Sequence, residues 1–142
     1  MRVKRLLIAS LSLFVIALAW NALLHLVVLR GVNASVQHLR RTDLSSKWWL
    51  SLVLTGGLVA LFTWGYGRFA RSGSVREGVT YGVYFALVAG LLVDLNQHIL
   101  YPIPARVAGL WFLGGLLEFS LYGALLTRLY PPTLRSSAAH PT

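Results

Sequence analysis

Asn21, His25, Asp94, His98 and Glu118 all lie inside, or at the edge of, long apolar runs, where a polar side chain needs a reason to be. His25, Asp94 and His98 together carry the donors of a divalent metal site, and two histidines on facing helices are the donors of a haem. No spacing motif accompanies them. The competing reading is a polar cluster of Asn21, His25, Asp94 and His98 that fixes helix packing. Glu118 raises a different chemistry. It stands about twelve residues into its run, roughly 18 Å from the boundary near Asp94 at 1.5 Å per residue. An ionised carboxyl without a partner is strongly disfavoured there, so Glu118 must be protonated or held by a buried donor. Tyr122, one turn on, is the nearest candidate, with Tyr84, Trp64 and Thr63 across the bundle. Such an acid either locks two helices together or takes up protons or cations. By depth alone it should not share a contact with Asp94.

The elements that position these groups follow from composition. Of 142 residues, 56% are hydrophobic and 12% charged, against about 25% charged in a soluble domain. This surplus of apolar residues requires a solvent other than water. Thirteen Lys and Arg face four Asp and Glu, but the basic residues fall between apolar runs and not on one polar face. That is the arrangement of charges that set membrane topology, and it speaks against nucleic acid as a partner. The chain has no cysteine, which excludes disulfides, zinc–thiolate sites, iron–sulfur clusters and thiol catalysis. Nucleophile-elbow, zinc-protease, P-loop and dinucleotide signatures are also missing, so nothing indicates a soluble-type enzyme.

Four runs are long enough to cross a hydrocarbon core as helices, which takes about 20 residues. They are placed at 6–29, 48–67, 76–100 and 105–130 in a single domain over 1–132, with a disordered polar tail at 133–142. The first run has a basic start and a small-x-small Ala17-Leu18-Ala19, as in a signal peptide, but it continues about ten residues further than a signal core of ~7–15. It is read as a retained span. Residues 30–47 form the one sizeable loop, with His38, Arg40 and Arg41 facing solvent or headgroups. Ser74 and Glu77 have the spacing of a capping box at the start of the third helix. Tyr101-Pro102-Ile103-Pro104 ends that helix, because proline lacks an amide and disfavours helix at the residue before it. So short a turn makes an antiparallel hairpin of the last two spans. The fold class is an all-α integral membrane four-helix bundle.

Within the third helix Gly78, Gly82, Ala86, Gly90, Asp94 and His98 recur every four residues. Small residues on one face let a second helix come close, and the same face carries Asp94 and His98 into the bundle. At 3.6 residues per turn this spacing drifts by about 40° per step, so neighbouring members share a face better than distant ones. Gly114 and Gly115 mark another close-packing or kink point.

The segment SVREGVTYG from Ser74, followed by YPIPARVAGLWFLGGLLEFSLYGALLTRLY, resembles small four-helix bacterial inner-membrane proteins. The likeness covers the carboxy-terminal half. It rests on a Glu-Gly opening of the third helix, a proline turn and a Trp-Phe-x-Gly-Gly-x-x-Glu segment, and it implies that Trp111, Gly114, Gly115 and Glu118 belong to one motif. It brings no activity or cofactor with it. The expected partners are the lipid bilayer and, through the small-residue ridge, a second copy or another membrane subunit. The leading functional expectation is thus an interaction or accessory subunit. A small permease or ion path using Glu118 and Asp94 is the alternative, and a metal- or haem-binding membrane protein using His25 and His98 is the third.

Overall fold

A computed structural model describes residues 3–131; the tail at 133–142 lies outside the described residues. Helix α1 (Val3–Ala22) continues through a π turn (Leu23–Val28) to α2 (Arg30–Ser35), and two short 3-10 turns lead to α3 (Trp48–Phe69). Helix α4 (Val75–Gly90) continues through a second π turn (Leu91–Leu95) into α5 (Asn96–Leu100), and α6 (Ala105–Leu129) closes the bundle. Among the described residues four helical stretches are long and apolar enough to span a membrane: Val3–Val28, Leu44–Phe69, Val75–Leu100 and Ala105–Leu129. The chain is an all-α, multi-pass membrane protein. Many of its leucines and valines, with Trp48, Trp49 and Trp64, are exposed along the outer faces, as they must be when lipid is the solvent.

Local chemistry sets the ends of the spans. Arg41 and Lys47 grip the Asp43 carboxylate at 2.8 and 3.0 Å just before the second span. Arg41 first, then Lys47, holds that carboxyl below its ordinary range. At the third span Ser74 Oγ accepts from the Glu77 amide at 3.2 Å, the expected half of a capping box. The other half differs. Glu77 accepts instead from the backbone amides of Arg71, Ser72 and Gly73 at 2.7, 2.9 and 2.7 Å. Gly73 has φ 66°, a conformation favourable only to glycine, and it turns the chain so that the three amides converge on one carboxylate.

The small-residue ridge is packed as its spacing predicts. Gly78, Gly82, Ala86 and Gly90 are the buried residues of α4, and their partner is α6 of the same chain. A Cβ on Gly82 would run into the Phe119 carbonyl and lie 3.0 Å from Ser120 Cα; one on Gly78 would strike the Gly123 carbonyl. Gly90 receives the Phe112 ring, and Gly114 receives the Leu24 side chain. The ridge is therefore covered internally and offers no face to another subunit. An aromatic cluster of Phe62, Tyr66, Tyr81, Phe85, Phe119 and Tyr122 fills the bundle towards the end where α1 begins and α6 finishes. At the other end Val36 packs with Ile103 and Val107, so the 30–47 connection and the proline turn lie together.

Candidate functional site

Between these two packed ends lies a cavity of about 420 Å³, lined from all four spans. Asn21, His25, Thr55, Asp94, Gln97, Trp111, Glu118 and Tyr122 supply its polar groups, and no Lys or Arg among the described residues reaches it. Glu118 is anchored by two donors on the same oxygen: Asn21 Nδ2 at 3.0 Å, and the Tyr122 hydroxyl in a short bond, both to Oε1. Oε2 has no protein donor among the described residues. Asp94 Oδ2 lies 3.7 Å from where a Cβ on Gly115 would stand, one turn before Glu118 on α6. The Asp94 carboxylate likewise has no hydrogen-bond donor among the described residues.

Asn21 and Asp94 thus meet the cavity of Glu118, which depth along the helices argues against. The reason is side-chain direction. Helical side chains lean towards the amino end of their helix. Asn21 and Asp94 ride on spans that run towards the loop end, and Glu118 on one that runs away from it, so they lean towards each other. Tyr122 is the donor expected. The other three candidates are not donors: Trp64 and Tyr84 are exposed, and Thr63 donates to the Val59 carbonyl at 2.8 Å.

His25 sits in the π turn beneath the loop end. Leu29 N bonds to Leu24 O at 2.7 Å, a five-residue step that frees the His25 carbonyl from the helical ladder. Asn33, in what reads as a polar loop, fills the vacancy. Its Nδ2 donates to the His25 carbonyl at 2.9 Å and approaches His25 Nδ1 at 3.3 Å, while Trp111 Nε1 donates to its Oδ1 at 2.9 Å. An amide NH2 only donates, so His25 Nδ1 is the accepting nitrogen and Nε2 carries the proton. Asn33 is buried, and no periodicity in the sequence points to it; the signal is only that it lies eight residues after an intramembrane histidine.

His98 departs from the expectation that it is buried. It is exposed, and its Nδ1 donates to the Ile103 carbonyl at 2.6 Å across the proline turn. The drift of the four-residue spacing has carried it off the ridge face, and Gln97 takes its place at the cavity. His25, Asp94 and His98 are consequently not brought together, and among the described residues no group of three His, Asp or Glu is arranged around a metal position.

No family model, curated protein or solved structure matches this chain.

Asn33 holds three partners at once, so its loss has a definite cost. Asn33→Ala leaves the Trp111 N–H, the His25 carbonyl and His25 Nδ1 unpaired, and should destabilise the protein by roughly 1–3 kcal/mol. Thermal unfolding in detergent checks the cost, and a changed Trp111 emission locates it.

Proposed function

We propose that this chain is a small permease-type protein of a bacterial inner membrane, in which the cavity handles protons or cations and Glu118 is the group that binds them. One observation carries the reading: both donors to Glu118 fall on Oε1, so Oε2 stays open in a cavity that holds a second carboxyl, Asp94, and, among the described residues, no basic side chain besides the His25 imidazole, whose Nδ1 is the accepting nitrogen towards Asn33. A carboxylate that merely locked two helices would be expected to use both oxygens, since a free one inside a membrane is costly. Asn21 and Tyr122 orient the carboxyl; Asp94 adds negative charge nearby. The association reading loses its main support, because the ridge on which it rests is covered by α6.

The test is flux. Purified protein in liposomes should dissipate an imposed pH or cation gradient faster than protein-free vesicles do. Identical rates would overturn the proposal.

Both termini are placed in the cytoplasm, on a count of eight Lys and Arg at the terminal end against five at the loop end. The chain has no native cysteine, so one introduced at the exposed Ser35 reports alone. It should react with an impermeant thiol reagent on intact cells. Reaction only after lysis would invert the orientation.

A further inference from the structure

We propose that the cavity's ligand is a lipophilic organic cation and not a bare inorganic ion. The inference rests on the cation-handling reading above and narrows it by chemical class. Size is the first argument. A volume of about 420 Å³ lies within the roughly 300–1,000 Å³ of sites for drug-sized molecules, whereas an inorganic ion is held by a close shell of oxygens that a space of this width does not provide. The walls are the second. Apart from the polar groups already named, Thr55 among them, the side chains of the lining are aliphatic and aromatic, including Leu24, Leu58, Val59 and Phe119, with the Trp111 ring beside them. Apolar walls bind apolar surface, and aromatic rings also favour a cation close to their faces. Charge is the third. Glu118 and Asp94 put carboxyls on the cavity while no Lys or Arg among the described residues balances them, so a positive ligand is favoured and an anionic one repelled. Gly115 makes the room beside Asp94: a Cβ there has only Asp94 Oδ2, at 3.7 Å, as a neighbour.

Binding of tetraphenylphosphonium to the full-length protein in detergent tests the proposal, with neutral triphenylphosphine oxide as the uncharged counterpart. The cation should bind saturably and the neutral compound at least about tenfold more weakly, as expected when a charge pair supplies part of the affinity. Glu118→Gln should weaken cation binding by a similar factor. Gly115→Leu, which fills the space without removing a charge, should weaken it too, and it carries the test should Glu118→Gln not fold. Equal binding of both compounds, or undiminished cation binding in both variants once folding is verified by circular dichroism, overturns the proposal. Liposome flux of inorganic cations or protons without tetraphenylphosphonium binding removes only the organic class. Absence of both flux and binding removes the cation-handling reading as well.

Discussion

Gly82→Val is expected to disrupt the bundle, while Gly57→Ala leaves it folded and at least as stable as the parent. Helices α4 and α6 touch backbone to backbone, and the Cβ of a residue at position 82 would occupy the space of the Phe119 carbonyl. Backbone cannot swing aside as a side chain does, so the two helices must separate along their length. The neighbouring contacts of Gly78 and Gly123, each against the other's carbonyl, would open with them. Overpacking of ordinary side chains costs about 1–3 kcal/mol, and a backbone overlap should cost about 3 kcal/mol or more. Gly57 has open space at its Cβ position, and alanine there gains helix propensity of up to roughly 1 kcal/mol. Thermal or denaturant unfolding of both variants in one detergent makes the comparison. Equal stability of the two would mean that α4 and α6 do not pack as described.

Glu118→Gln is expected to abolish flux while keeping the fold. The amide oxygen still accepts from Tyr122 and Asn21, so the anchoring geometry survives, and the change in stability should stay within about 1 kcal/mol. What is lost is the ability to take up and release a proton or to carry negative charge at Oε2. Removing an essential acid–base group typically costs about 100-fold or more, which here places flux at the level of empty vesicles. Tyr122→Phe is the instructive companion: it removes one donor and leaves the carboxyl, so flux should fall less than with Gln. Unfolding of the Gln variant would contradict the expected tolerance of a neutral side chain and would imply that the fold needs an ionised Glu118 paired with a cation.

Much of this fold is legible in the chain because a membrane span is a continuous signal. The four apolar runs, the proline turn and the Gly78, Gly82, Ala86, Gly90 face each follow from local spacing; the structure has four apolar spans, with bounds shifted by up to four residues, and buries those four residues on α4. The site is harder because its contacts join distant positions. Asn21 lies 97 residues from Glu118, and only the opposite lean of side chains on antiparallel helices brings them together. Asn33 was hidden for a related reason: its neighbours suggest a solvated loop, and its role emerges only when a π turn frees a carbonyl and Trp111 arrives from α6. His98 shows the converse, a residue with the right type and interval whose helical phase had slipped by the end of the ridge.

The central claim, that Glu118 binds protons or cations within the membrane, is tested most directly by infrared difference spectroscopy of the carboxyl and carboxylate bands. Adding tetraphenylphosphonium, or changing pH, should alter those bands in the wild-type protein, and the Glu118→Gln difference spectrum should lack that change. Identical difference spectra from the two proteins would contradict the claim.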